Sequence, residues 1–223
     1  MSRPDFPTGD IERFDRMERA VHWLTTVSML VLLATGSMLY IGPLSGLVKR
    51  TILKDVHVVA GLFLPVPIVL AMIARKWNHA LRADLRRLGH WSRGDGRWMR
   101  SLGRRRYPKP GKFNAGQKLF AAVVAGVIPV MLATGSIMRW PKNFKLDLRT
   151  GATFVHDWLY LLMMVLVVGH ALKAMVAPGG WNTMLRGRVN ARDANEAWPG
   201  WIEELDAATP GEVTEVREPE PSL

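Results

Sequence analysis

Four long apolar runs constrain this chain more than any other feature of its 223 residues. Each run holds about 20 residues with almost no charge, and a helix of that length crosses the roughly 30 Å hydrocarbon core of a membrane. The runs cover residues 21–41, 52–74, 119–138 and 154–176. The sequence therefore predicts an all-α membrane protein built as a four-helix transmembrane bundle, and not a soluble protein with buried core helices. Prolines inside the runs do not oppose this, because helices buried in a membrane bundle tolerate them.

The net charge of +11 is concentrated in one loop. Residues 75–118 contain 14 Lys and Arg against two acids. With four spans this loop shares a side with both termini, and that side carries 23 of the 30 basic residues. The positive-inside rule places it in the cytoplasm, so we expect a multi-pass protein of the bacterial cytoplasmic (inner) membrane. The charge is thus a topology signal, with membrane lipids as a secondary partner and no nucleic acid expected.

The charge pattern also divides the chain into three parts. We predict a cytoplasmic N-terminal segment over 1–20, a four-span domain over 21–176, and a cytoplasmic acidic tail over 177–223. From Asp193 onward the tail has nine acids and one basic residue, which favours partial disorder or attachment to a partner. Trp198 and Trp201 are expected to lie at the level of the lipid headgroups.

The absence of cysteine limits the redox chemistry that the chain can support. It excludes disulfides, thiolate zinc sites and cysteine-bound iron–sulfur clusters, so a redox metal would need His, Met or carboxylate ligands. Six histidines are present. Two lie in the basic loop, where we expect them to be solvated: His79 and His90. The other four lie in or at the ends of the apolar runs, where polar groups are functional candidates: His22, His57, His156 and His170.

A repeated phrase relates the two halves of the chain. Residues 33–37 read Leu-Ala-Thr-Gly-Ser and recur 99 residues later at 132–136. The same offset relates His57 to His156, which indicates two helical hairpins in a parallel repeat. Small residues also let helices approach closely, and that packing role accounts for the phrase by itself.

Helix direction sorts the four histidines into two pairs. His57 and His156 fall near the outer face, and His22 and His170 fall nearer the cytoplasm, about 21 Å away along a helix. Two such pairs suit two b-type haems, each iron held by two histidines. Proton relays would normally recruit acids within the spans. The nearest acids, Asp55 and Asp157, are expected either to orient the imidazoles or to act through the helix dipole.

A motif ahead of the third run has two interpretations. Residues 111–118 read Gly-Lys-Phe-Asn-Ala-Gly-Gln-Lys, and Asn114 and Gln117 have the spacing of a helix capping box. Alternatively, these amides at the membrane surface donate hydrogen bonds to a quinone carbonyl, and Gly116 lets the quinone ring approach the backbone.

This motif, the four histidines in order and the Arg-Gly-Arg-Val stretch at 186–189 resemble the cytochrome b (gamma) subunits of membrane-bound respiratory formate dehydrogenases. The resemblance extends over residues 14–204. It implies a membrane anchor that passes electrons from an iron–sulfur subunit through two b haems to menaquinone or ubiquinone near the cytoplasmic face. Formate oxidation would belong to a separate molybdenum or tungsten subunit, with no catalytic residue on this chain.

The resemblance also assigns residues to these cofactors. It implies that His57 and His156 bind the outer haem iron, and that His22 and His170 bind the inner one. Asn114, Gly116 and Gln117 match the family's quinone pocket.

Some questions stay open at this point. Four membrane histidines also fit the related di-haem cytochromes of hydrogenases and other molybdoenzymes, and a haem-free anchor or transporter is a rival of a different class. The tail over 195–202 departs from the family pattern, so its contacts with partner subunits are not carried over. The sequence also does not decide whether the complex forms a higher oligomer.

Overall fold

The computed structural model describes residues 9–46, 48–74, 79–101, 109–177 and 179–208. The predictions for 1–8, for 75–78 and 102–108 of the basic loop, and for 209–223 of the acidic tail lie outside these residues. In chain order the described helices and strands are β1 (Asp10–Glu12), α1 (Arg16–Tyr40), α2 (Arg50–Phe63), α3 (Val66–Ile73), α4 (His79–Gly89), α5 (Arg93–Arg100), α6 (Ala115–Arg139), α7 (Leu146–Val176), α8 (Gly180–Arg186), β2 (Arg188–Asn190), α9 (Ala191–Ala197) and α10 (Pro199–Ala208). Short 3₁₀ turns over Gly42–Gly46 and Pro141–Asn143 follow α1 and α6.

Four helices are long and apolar enough to cross a membrane, which confirms the four predicted spans and a multi-pass membrane protein. They are Arg16–Tyr40, Arg50–Ile73, Ala115–Arg139 and Leu146–Val176. The second is α2 followed by α3, and the change falls at Leu64 and Pro65. Proline has no backbone N–H to continue the hydrogen-bond ladder, which explains a break there. Pro129, in contrast, lies inside an uninterrupted α6.

The spans pack as two hairpins, α1 against α2 and α6 against α7. A core of Leu33, Val127 and Met163 joins α1, α6 and α7 across the interface between the hairpins. Many other apolar side chains on these helices stay exposed, among them Val59 and Val165. In a membrane, lipid would cover those faces, because the hydrocarbon solvates apolar surface as well as a protein core does.

A small unit formed by β1, β2, α9 and α10 covers one end of the bundle, and we call it the terminal unit. Strand β1 pairs antiparallel with β2, with Ile11 opposite Val189. Trp198 and Trp201 are 6% and 3% exposed in its core. The Arg13 guanidinium lies 3.4 Å from the centroid of the Trp198 ring. The start of the tail, for which partial disorder or attachment to a partner was expected, is therefore folded against its own chain, and both tryptophans are buried in protein.

Candidate functional site

His57 of α2 and His156 of α7 face each other at the end of the bundle away from the terminal unit. Their ring centroids are 6.3 Å apart and the rings are inclined at 62°. The Nδ1 atom of each imidazole lies 2.9 Å from a threonine hydroxyl, that of Thr35 for His57 and that of Thr134 for His156. The repeated phrase therefore contributes one imidazole partner per hairpin, which leaves the two Nε2 atoms for another ligand.

His22 of α1 and His170 of α7 face each other at the end beside the terminal unit. Their ring centroids are also 6.3 Å apart, with the rings inclined at 47°. Trp23 meets His22 edge-on at 5.4 Å, and Phe120 stacks on His170 at 4.7 Å. Among the described residues, none forms a hydrogen bond with the buried Nδ1 of His22. Within the described part of the chain, aromatic rings and not hydroxyl groups therefore contact this pair.

The spacing of both pairs fits a metal ion between two imidazoles. Two metal–nitrogen bonds of about 2 Å, each added to an imidazole radius of about 1.1 Å, place the ring centroids about 6.2 Å apart. Both pairs are at 6.3 Å. Each pair supplies two protein nitrogens, the number that a haem iron takes when both axial ligands are histidine.

Glycines give the His57–His156 pair its close packing. A Cβ atom added to Gly36 would lie 3.5 Å from Cε1 of His57, and one added to Gly135 would lie 3.4 Å from Cε1 of His156. Each imidazole therefore lies directly over a glycine on the other helix of its hairpin, next to its threonine partner. The repeated phrase thus serves two purposes. Its glycines pack against the imidazoles, and its threonines lie within hydrogen-bond distance of them.

A cavity of about 790 Å³ opens beside this pair. Both imidazoles, both glycines, Asp55 and Asp157 line it. Its volume lies in the range of cofactor and ligand pockets. The two carboxylates were candidates for orienting the imidazoles, but the hydroxyls of Thr35 and Thr134 occupy the Nδ1 positions instead. The threonines could have been found from the repeat, because the offset that relates the histidines also relates them.

The Asn114–Gln117 capping box is formed at the start of α6. The backbone N–H of Asn114 donates to Oε1 of Gln117 at 3.0 Å, and the N–H of Gln117 donates to Oδ1 of Asn114 at 3.0 Å. These bonds use only the amide oxygens. The two side-chain NH₂ groups take no part in the box, so capping does not prevent them from donating to a ligand.

The surroundings of this motif connect it to the His22–His170 pair. Gln117 precedes Phe120 by three residues and so shares its face of α6, and Phe120 stacks on His170. Asn114 lines a separate cavity of about 600 Å³ together with Trp98 and Lys118. Gly116 and Gln117 lie outside that lining.

Gly116 leaves space that an aromatic ring borders. A Cβ atom there would lie 3.3 Å from the Trp98 indole of α5. The Lys118 ammonium donates to both carboxylate oxygens of Asp95 at 3.0 and 3.1 Å, which ties α5 to α6. Burial opposes ionisation of Asp95, but hydrogen bonds from Ser92 and Lys118 outweigh it and lower the pKa of this carboxyl.

A buried ion cluster, absent from the sequence predictions, lies between the motif and the terminal unit. The Lys112 ammonium is 2.5 Å from Oδ2 of Asp84 and 3.8 Å from Oε1 of Glu18. Arg13 donates to the Lys112 carbonyl at 2.9 Å. All four side chains are buried. Burial lowers the pKa of Arg13 to about 9, against the opposing charge of Asp84.

Known proteins that are similar to this chain are membrane cytochromes. The sequence model of the family described as prokaryotic cytochrome b561 matches residues 13–187. Curated relatives carry the name "Formate dehydrogenase, nitrate-inducible, cytochrome b556(Fdn) subunit" in Escherichia coli strain K12, Escherichia coli O157:H7 and Shigella flexneri. Each is 28% identical over 101 residues, which are 44% of this chain and 46% of the relative. The chain thus spans about half the length of the curated relatives it matches.

Proposed function

This chain belongs to the prokaryotic cytochrome b561 family, and from that premise we propose that it is the membrane anchor and electron-transfer subunit of a formate dehydrogenase complex. Family membership implies b-type haem and a membrane electron-transfer role. The proposal adds an iron–sulfur donor subunit, a molybdenum or tungsten catalytic subunit, two haems and a quinone acceptor. A haem iron with two histidine ligands exchanges one electron and has no open position for oxygen.

The observation that carries the proposal is the pair of facing imidazoles at each end of the bundle. We assign His57 and His156 as axial ligands of an outer haem, and His22 and His170 as those of an inner haem. Equal ring separations of 6.3 Å support the same use of both pairs. The repeat supports it further, because Thr35 and Thr134 bond their imidazoles in the same way.

We place quinone reduction at the start of α6, beside the inner pair. Asn114 and Gln117 would donate their free NH₂ groups to quinone carbonyls while their oxygens cap the helix. Trp98, whose indole lies 3.3 Å from where a Cβ atom of residue 116 would be, supplies an aromatic face for the quinone ring. The role of Gly116 is therefore to leave space for the Trp98 indole.

The proposed orientation gives the reaction a direction across the membrane. With both termini in the cytoplasm, the inner pair and the quinone motif face that side. Quinone reduction would take protons from the cytoplasm while electrons enter from the outer face. Each charge moved across 100 mV stores about 2.3 kcal/mol, so turnover would contribute to the membrane potential.

The decisive experiment is haem stoichiometry in matched histidine variants. The purified wild-type chain should show b-type bands in a reduced-minus-oxidised spectrum and two haems per chain, and His57→Ala and His22→Ala should each retain one. Two haems in His57→Ala would contradict the pairing, and an absence of b-type bands in the wild type would favour the haem-free anchor. Proteins that co-purify after mild detergent extraction identify the donor, since a nickel–iron subunit would point to hydrogenase.

A further inference from the structure

We infer that Thr35 and Thr134 are positioning residues that fix the tautomer of His57 and His156 and thereby set the reduction potential of the outer haem alone. This inference rests on the proposed function, because it concerns residues that act through the proposed haem ligands.

Each threonine hydroxyl has a single proton to donate. The hydroxyl of Thr35 lies 2.7 Å from the Val31 carbonyl oxygen, and that of Thr134 lies 2.8 Å from the Val130 carbonyl oxygen. A carbonyl oxygen can only accept, so the hydroxyl proton must point at it. Each hydroxyl then has only lone pairs to offer its second partner, the imidazole.

The imidazole must therefore supply the other proton. Nδ1 of His57 and Nδ1 of His156 each lie 2.9 Å from their threonine oxygen. Because that oxygen can only accept, Nδ1 carries the hydrogen in both rings. A neutral imidazole has one N–H, so Nε2 keeps its lone pair and is the atom left to bind iron.

This bond also changes the strength of the ligand. An imidazole that donates its second N–H to an acceptor is a more basic metal ligand, and its orientation is held. A more basic ligand favours ferric over ferrous iron and lowers the reduction potential. The acids of the same cavity, Asp55 and Asp157, form no hydrogen bond with either imidazole among the described residues. The Leu32 carbonyl beside His57 can only accept, so it favours the same tautomer as Thr35 does.

The inner pair provides a built-in contrast. Among the described residues no acceptor reaches the buried Nδ1 of His22, and His170 is stacked on Phe120. In the residues that the structure describes, hydroxyl–imidazole bonds are therefore confined to the outer pair, and they should separate the potentials of two haems that share the same ligand types.

The test is a redox titration of the purified chain carrying Thr35→Val and Thr134→Val together. Valine keeps the shape of threonine without the hydroxyl. We expect the ferric form of the outer haem to lose about tenfold in relative stability, an upward shift of about 59 mV for one electron, with the inner haem unchanged. The low-spin electron paramagnetic resonance signal of the outer haem should move with it.

Two control variants distinguish a positioning role of the threonine hydroxyls from a general effect on the structure. Thr35→Ser with Thr134→Ser keeps both hydroxyls and should restore the wild-type potential. Ser28→Ala removes a hydroxyl of α1 that bonds the Leu24 carbonyl of its own helix and, among the described residues, no imidazole, so it should shift neither haem. If the valine variant lost its outer haem, rescue by serine would support positioning, and failure of serine to rescue would overturn it.

Unchanged potentials in the valine variant would overturn the inference while leaving the proposed function intact. His57→Ala identifies which potential belongs to the outer haem. If His57→Ala kept both haems, the proposed function itself would fail, so the two failures are distinguishable.

Discussion

Asn114 and Gln117 can each cap α6 and bind a ligand at the same time, because capping uses only the side-chain oxygen. The oxygens of Asn114 and Gln117 cap the helix, and their NH₂ groups stay outside the box. The capping and quinone interpretations of this motif therefore do not compete. The same separation makes the quinone proposal testable without disturbing the helix.

Gln117→Glu and Asn114→Asp replace only the NH₂ group. Each keeps an oxygen that can accept the capping N–H, and a carboxylate is favourable at a helix N-terminus. Each should lower quinone reduction about tenfold, since a lost hydrogen bond in the transition state is worth about 1.4 kcal/mol. Steady-state quinone reduction measures this, with the haem spectrum as control. Unchanged turnover in both variants would leave the motif as a capping box alone.

Substitution of Gly135 is a test of the cavity beside His57 and His156. A Cβ atom there meets Cε1 of His156 at ordinary contact distance, so the extra methyl groups of Gly135→Val would fill space beside the ring. We expect one haem per chain in place of two, by pyridine haemochrome analysis. Gly126→Val is the matched control, because a Cβ atom at Gly126 has no neighbour within 4 Å. Two haems in Gly135→Val would show that this side of the imidazole is not needed.

At the scale of elements, α5 is a short helix whose position depends on one ion pair. Asp95 closes a capping box with Ser92 and also accepts from Lys118 of α6. The pair holds the Trp98 indole over Gly116. Docking of α5 therefore shapes the wall of the proposed quinone site.

The lowered pKa of Asp95 gives this docking a defined pH dependence. A carboxyl with a lowered pKa stabilises the folded form fully above its unfolded pKa of about 3.9, and this contribution is lost as pH falls through the folded pKa. We expect amide exchange in α5, corrected for intrinsic rate, to rise on acidification below about pH 4. Asp95→Asn should raise it about tenfold at neutral pH and remove the acid dependence. An acid response that persisted in Asp95→Asn would assign it to another group.

At the scale of the whole molecule, some contacts could be predicted from the sequence and others could not. Membrane thickness fixes span length, so the four spans are readable from apolar runs alone. Asp55 and Asp157 were candidates either to orient the imidazoles or to act through the helix dipole, whereas the hydroxyl partners, Thr35 and Thr134, lie on other helices and are distant in the sequence. The terminal unit could not be predicted from composition. It depends on contacts between residues that are far apart in the sequence, such as that of Arg13 with Trp198.

The buried ion cluster joins segments of the chain that are far apart in the sequence. Lys112 precedes α6, Glu18 belongs to α1 and Asp84 belongs to α4, and all three side chains are buried. Removing one partner of a buried ion group leaves uncompensated charge and costs about 3–5 kcal/mol. Lys112→Met should therefore lower the apparent Tm markedly and speed exchange in the terminal unit.

Lys109→Met is the matched control for this prediction. Lys109 is three residues earlier and pairs with Glu203, but both side chains are about half exposed, and exposed pairs contribute about 0–1 kcal/mol. We expect little change in its Tm. The double variant Lys112→Met with Asp84→Asn should recover part of the loss, because it also removes the buried carboxylate that lies closest to the lost ammonium. Equal Tm values for the Lys112 and Lys109 variants would mean that the cluster does not hold the terminal unit on the bundle.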